Sequence, residues 1–263
     1  MVLRHTKPRP VVLSIAGYDP SSGAGVTADI KTIAAQGCYG VTCITALTVQ
    51  STRGVKSVEP VEGRVITETL EELISDFDIA AFKIGMLGSA EAARAVAAFL
   101  KRHQPRHVVL DPVLKSSSGA DLLSKDGFQV LKERLLALAS VITPNADEAG
   151  VLTGLNVRNV DDMGAAALHL RRMGARNVIV TGGHLDPPVD LISLDRSNSF
   201  VTLTGTKIAV RSTHGTGCAF STALACRLAL GKNLTNAAQA AKNYVEAALK
   251  TAPLVGRGVG PVV

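Results

Sequence analysis

Apolar positions in this chain alternate between two patterns. Short unbroken apolar runs end in glycine, aspartate or proline, and between them lie longer stretches with apolar residues at helical spacing. The first run, P-V-V-L-S-I-A-G (residues 10–17), predicts a buried strand. It opens into the turn Y-D-P-S-S-G-A-G and a helix from about Ala24 to Gln36, closed by Gly37. G-V-T-C-I-T-A-L-T-V-Q predicts a second strand, V-K-S-V-E-P a short third one, and residues 62–75 a helix. A-A-F-K-I-G-M-L-G is the next strand. Ser89 caps the helix after it, with Glu91 in the first turn and Lys101, Arg102 and His103 in the last, as the helix dipole favours.

The cycle continues with strand H-V-V-L-D-P-V, a helix near Lys125–Ala139, strand V-I-T-P-N, a short helix from Ala146, a helix near Asp161–Met173 and strand N-V-I-V-T-G-G. Strands and helices alternating at this spacing predict right-handed crossovers and a mostly parallel sheet covered on both faces. From Val189 to Arg211 the rhythm changes. V-D-L-I-S-L-D, F-V-T-L-T and K-I-A-V-R predict antiparallel strands at one edge. Helices at Gly215–Gly231 and Asn236–Lys250 complete the chain. The fold class is therefore α/β, with residues 10–263 as one domain and residues 1–9, polar and proline-bearing, as a loose end.

Composition sharpens this picture. Of 263 residues, 46% are hydrophobic and only 3% aromatic, so the core is aliphatic, as suits buried parallel strands. The net charge of +6 invites an anionic partner, but the basic residues are scattered without interleaved aromatics, which argues against nucleic acid and allows a small phosphorylated ligand. Four cysteines (Cys38, Cys43, Cys218, Cys226) lack metal-ligand spacing and, without a secretory signal, predict a reducing, cytoplasmic setting. The uncharged run Thr32–Thr52 carries too many Thr, Gln and Gly residues for a membrane span.

In open α/β sheets ligands lie across the carboxyl ends of the strands. The polar residues predicted there are Asp19, Gln50, Asp111, Asn145 with Glu148, Thr181 with Gly183, and the turn Gly215-Thr216-Gly217-Cys218. The glycines of that turn let backbone approach a ligand, and the helix N-terminus behind it favours an anion. The same field is expected to lower the pKa of Cys218. Gln50 can read a heterocycle edge by donating and accepting together. Asp19, before Pro20, also suits a plain turn, Met86 plain core packing, and Asn145/Glu148 a helix-capping pair. Asp111 and Glu148 can hold Mg²⁺ through water. Together these are parts for phosphoryl transfer to a small alcohol. No Walker A sequence is present.

In order, the segments A-G-Y-D-P-S-S-G-A-G, I-T-A-L-T-V-Q-S-T, K-I-G-M-L, V-L-D-P-V, T-P-N-A-D-E, G-G-H and H-G-T-G-C resemble the hydroxymethylpyrimidine and phosphomethylpyrimidine kinases of thiamine biosynthesis, within the ribokinase-like superfamily. The resemblance implies a three-layer α/β/α sandwich using ATP and Mg²⁺ to phosphorylate a pyrimidine alcohol or its monophosphate, and a homodimer. It implies that Cys218 stands at the proton-acceptor position, that Gly215, Thr216 and Gly217 form the anion hole, and that Gln50 reads the pyrimidine. Gly17, Asp19, Met86 and Val113 would surround the ring, and Asn145 and Glu148 would serve Mg²⁺ and phosphate. Two family lysines are replaced, by Ser117 and Thr181, and Lys115 is the candidate substitute. Pyridoxal kinase is the nearest alternative, and a non-catalytic binding relative a more distant one.

Overall fold

The computed structural model describes residues 8–116, 119–183, 185–197 and 199–263. Most of the predicted loose end, the Ser117 position and His184 of G-G-H lie outside the described residues. In chain order the elements are β1 (Val11–Tyr18), α1 (Gly25–Ala35), β2 (Tyr39–Ser51), β3 (Gly54–Pro60), α2 (Gly63–Asp76), β4 (Ile79–Ile84), α3 (Ala90–His103) and β5 (Val108–Leu110). There follow α4 (Lys125–Val130), a π-helical turn (Leu131–Leu135), α5 (Leu136–Leu138), β6 (Val141–Ile142), α6 (Ala146–Thr153), α7 (Val160–Arg172) and β7 (Val178–Gly182). The chain ends with β8 (Val189–Ser193), β9 (Phe200–Thr204), α8 (Thr216–Ala229) and α9 (Leu234–Lys250).

The strands form one sheet in the order β3-β2-β1-β4-β5-β6-β7-β8-β9. Pairing is parallel from β2 through β7 and antiparallel at both edges, in β2–β3, β7–β8 and β8–β9. Strand alternation sends one set of side chains to each face. Leu13, Ile15, Phe82, Ile84, Val108, Leu110 and Val178 meet α2, α3, α4, α6 and α7. Val12, Ala81, Val109, Val141 and Ile179 meet α1, α8 and α9. The result is the expected three-layer sandwich. The order reverses between β1 and β4, which places a crevice at their carboxyl ends.

Three departures from the predicted elements have physical causes. The strands expected around H-V-V-L-D-P-V and V-I-T-P-N shrink to Val108–Leu110 and Val141–Ile142. Pro112 and Pro144 carry no N–H to continue a ladder, so the chain leaves the sheet just before each. The third edge strand, K-I-A-V-R, does not form. After β9 the Gly205 amide donates to Pro188 O, and the Thr206 amide turns to Glu246 Oε1 at 3.1 Å, so the chain crosses α9 instead of pairing with β9.

The caps read from the sequence at Ser89 and Asn145 are in place. Ser89 Oγ accepts from Ala92 N, and the last turn of α3 carries Lys101, Arg102 and His103. Buried ion pairs tie helices to the sheet: Lys242 Nζ of α9 lies 2.8 Å from Asp190 Oδ2 of β8, and Lys83 Nζ of β4 lies 3.0 Å from Asp29 Oδ2 of α1.

Two glycine turns interlock at the crevice. A Cβ on Gly25 (φ +58°) would sit 2.1 Å from the Gly17 carbonyl oxygen, and one on Gly215 (φ +85°) would sit 1.8 Å from that of Gly23. Gly37, also at positive φ (+78°), faces open space. Gly37→Ala should therefore cost only the left-handed penalty of about 1 kcal/mol. Gly25→Ala, which adds a backbone collision, should cost on the order of 3 kcal/mol. Urea denaturation of the two variants side by side measures the difference.

Candidate active site

The turn between β1 and α1 is organised by Asp19. Its Oδ1 accepts from the Ser21 amide (2.8 Å) and hydroxyl (2.7 Å), and its Oδ2 accepts from the amides of Gly23 (3.2 Å) and Ala24 (2.9 Å). This is the turn role open to an aspartate before proline, and the side chain is buried at 3% exposure. Asp19 does more than shape its own turn, because His214 Nε2 lies 3.0 Å from the same Oδ2. Burial opposes ionisation of Asp19, but the bonds from His214 and Ser21 outweigh it and hold the carboxyl below its usual range. His214 Nε2 is also 3.2 Å from Gln50 Nε2, and Thr48 Oγ1 donates to Gln50 Oε1 at 3.2 Å. One imidazole thus joins the β1 turn, the end of β2 and the entry to α8. Gln50, Thr52, Arg53, Val55, His214 and Val259 line a cleft there.

Behind the Asp19–Gln50 group, Gly17 and Met86 touch: a Cβ on Gly17 would meet Met86 Sδ at 2.8 Å. Val113 packs against Met86, Ala46 and Leu122. The apolar residues expected around a flat ring are therefore neighbours, at the ends of β1, β4 and β5.

Helix α8 begins with Gly215 in the left-handed region, where no side chain caps it. The Ala219 amide closes the first turn on Gly215 O at 2.8 Å, and the amides of Thr216, Gly217 and Cys218 precede that bond. Gly217 is exposed, so an anion can reach these amides. Cys218 is half-buried, and its thiol departs from the expectation. Burial pushes its pKa up to about 12. Lys83 pulls the other way, Asp111 and Asp29 add to the rise, and a bond from the Gly25 amide opposes it weakly. Desolvation beside two carboxylates outweighs the helix terminus, so Cys218 is a thiol at neutral pH rather than an activated thiolate.

Beneath the turn lies a polar network the sequence did not announce. Asp29, fully buried in α1, accepts from Ser14 Oγ (2.5 Å) and Lys83 Nζ (3.0 Å) on Oδ2, and from Thr222 Oγ1 (2.6 Å) on Oδ1. Burial works against the charge of Lys83, but Asp29, and further off Cys218 and Asp111, raise its pKa above the ordinary value. Ser221, beside Thr222 on α8, donates to Asp111 Oδ2 at 2.9 Å. The one signal in the sequence was a lone lysine inside the apolar strand A-A-F-K-I.

Asp111 is 4% exposed, and burial raises its pKa, against the pull of Lys83 and Ser221. Glu148 is raised to about 8, first by burial and then by the charge of Asp111. Two carboxylates that repel each other's charge in a buried setting fit a divalent cation completed by water and phosphate oxygens. Asn145 and Glu148 also form a complete capping box: Asn145 Oδ1 accepts from the Glu148 amide, and Glu148 Oε2 accepts from the Asn145 amide. Asn145 bridges Thr181 of β7, whose amide donates to Pro144 O at 2.9 Å, and Gly183 is exposed just beyond. Lys115 does not join this group: its ammonium is exposed and 3.9 Å from Asp121 Oδ1. Among the described residues no cluster of three or more His, Cys, Asp or Glu side chains could hold a metal, and no helix is long and apolar enough to cross a membrane.

The geometry agrees with comparisons to known proteins. A family model described as phosphomethylpyrimidine kinase matches residues 19–263. A hydroxymethylpyrimidine/phosphomethylpyrimidine kinase of Aquifex aeolicus is 39% identical, covering 94% of this chain and 97% of its own. A thiamine biosynthesis bifunctional protein of Geobacter sulfurreducens is 43% identical over 97% of this chain, which spans about half (52%) of that longer protein. Among solved structures, a phosphomethylpyrimidine kinase from Clostridium difficile superposes with a TM-score of 0.81 at 37% identity, covering 91% of this chain and 99% of that one. An ADP complex of Bacillus subtilis pyridoxal kinase superposes with a TM-score of 0.87 at 33% identity, covering 96% of each. On these matches, over nearly the whole chain and on the same fold, the chain belongs to the phosphomethylpyrimidine kinase family.

Proposed function

We propose that this protein transfers the γ-phosphoryl group of ATP to the hydroxymethyl group of 4-amino-5-hydroxymethyl-2-methylpyrimidine, and then to the resulting monophosphate, in thiamine biosynthesis. The observation that carries the reading is convergence. The free amides at the start of α8, the Cys218 thiol and the Gln50–His214–Asp19 group meet at the point where the strand order reverses.

Each group has a role set by its chemistry. Gln50 offers its amide to the edge of the pyrimidine, and Gly17, Met86 and Val113 give the ring an apolar bed. The amides of Thr216, Gly217 and Cys218 face charge on the phosphoryl group in transit. Asp111 and Glu148 would hold Mg²⁺, which when bound supplies charge neutralisation at the phosphates. Asn145, Thr181 and Gly183 border the place for the donor's phosphates. Because Cys218 keeps its proton, it serves by orienting the acceptor hydroxyl. A loose transition state, in which that proton leaves late, asks for little more. The exposed Leu47 and Val49 on β2 support the dimer that the resemblance implies.

The likeness to pyridoxal kinase supports a second acceptor, and the absence of a site lysine at Thr181 weakens the case for the monophosphate. ADP release with Mg²⁺-ATP and each of three acceptors tests all of this. The alcohol should be turned over fastest, the monophosphate more slowly, and pyridoxal least; turnover of pyridoxal alone would overturn the reading. In the same assay Cys218→Ser should keep measurable turnover, while Cys218→Ala should lose about a hundredfold in kcat. Complete loss in the serine variant would instead require a thiolate base.

A further inference from the structure

We infer that Lys83 is a positioning residue for phosphoryl transfer: an interior ammonium, anchored by Asp29 beneath the first turn of α8, that sets the charge around Cys218. The inference rests on the kinase reading above and deepens it.

The geometry leads from Lys83 to the reaction centre in two short steps. Lys83 Nζ is 3.0 Å from Asp29 Oδ2, and Asp29 Oδ1 holds the Thr222 hydroxyl at 2.6 Å. Thr222 lies four residues after Cys218 on α8, so the two share one stripe of the helix. Ser221, next to Thr222, reaches Asp111 Oδ2 at 2.9 Å. At the sheet, Lys83 pairs with Ser14 of β1 on one side and Val109 of β5 on the other. The ammonium therefore sits in the middle of the parallel strands, on the face that α1 and α8 cover. A Cβ on Gly85 would lie 2.7 Å from Nζ, which places the ammonium level with the carboxyl end of β4. Its charge acts at Cys218, one helical turn before Thr222, and favours the ionised form there.

Stability alone does not account for such a pair. Both side chains are fully buried, and the desolvation of two charges can exceed their mutual attraction, so apolar replacements of similar volume are often neutral or stabilising. The surrounding face offers an apolar alternative in Val12, Ala81 and Val109. The cost has a return at the site. Developing negative charge on the transferred oxygens lies within the field of a fixed, fully buried cation, whereas Lys115 points to solvent. Lys83 touches no reacting atom, so its influence passes through the field at Cys218 and through the seating of α8.

The test separates a charge at the site from a structural prop. Lys83→Met leaves Asp29 uncompensated and is expected to lower the melting temperature, so the informative protein is the double variant Asp29→Asn/Lys83→Met, which removes both charges. Three readouts are taken on the full chain: melting temperature, kcat and KM for the pyrimidine alcohol, and the rate of iodoacetamide alkylation at Cys218 followed on its peptide at pH 8.5. The double variant should melt within a few degrees of wild type and keep its KM within about twofold. Its kcat should fall about tenfold or more, and Cys218 alkylation should slow about threefold or more. Asp29→Asn, which keeps the ammonium, should retain more turnover than the double variant despite lower stability.

Wild-type kcat and alkylation in the double variant would reduce the pair to packing and overturn the proposal. So would a double variant that does not fold, a loss of kcat with unchanged alkylation, or better turnover in the double variant than in Asp29→Asn. If the wild-type protein phosphorylates no pyrimidine while alkylation still depends on Lys83, the kinase reading fails and the electrostatic coupling stands.

Discussion

The Asp29–Lys83 pair constrains everything above it. A carboxylate and an ammonium without solvent demand that each remaining lone pair and proton be met. Ser14 from β1, Thr222 from α8 and Lys83 from β4 meet those of Asp29. Helix α1, the two central strands and the helix that begins at the amide turn are thus held in one arrangement by directional contacts. Apolar packing alone tolerates sliding; hydrogen bonds to a buried charge do not. The height of the α8 N-terminus above the sheet, on which any approach of phosphate to its amides depends, is set here.

The upper layer is governed by close backbone approach. Gly25 lies against Gly17, and Gly215 lies against Gly23, so the turn after β1 and the turn before α8 share one contact surface. His214 and Asp19 close that surface with a polar bond across 195 positions of sequence. Gln50 joins them from β2. The acceptor pocket and the anion turn are in this sense two sides of one structure, and substrate recognition is mechanically continuous with the place where charge is received.

Much of this was readable from the chain. The alternation of apolar runs and helical stripes identified the sandwich, and local chemistry identified caps at Ser89 and at Asn145 with Glu148, because both depend on residues three positions apart. What depended on distant partners was hidden. Lys83 was not singled out from the sequence: a lone charge in an apolar strand is its only local trace, and its partner lies 54 residues earlier and is defined only by strand order. The same limit explains Cys218: the helix terminus is visible locally, whereas the burial and the two carboxylates that reverse its effect come from α1 and from the loop that follows β5. The missing K-I-A-V-R strand failed for a tertiary reason too, since Glu246 of α9 takes the Thr206 amide.

The short central strands carry a consequence for how the molecule breathes. Because β5 and β6 stop before Pro112 and Pro144, the floor of the crevice beyond them is joined to its neighbours by single bonds, such as Asp111 N to Ile84 O and Thr143 N to Leu110 O, rather than by a continuous ladder. Loops of this kind open at lower free energy than the strands that bear them. Amides along the carboxylate side of the crevice should therefore exchange with solvent sooner than those of β1 and β4. That pliant floor runs beneath both sides of the crevice, since Val113 borders the bed for the acceptor ring and Asn145 the place for the donor's phosphates.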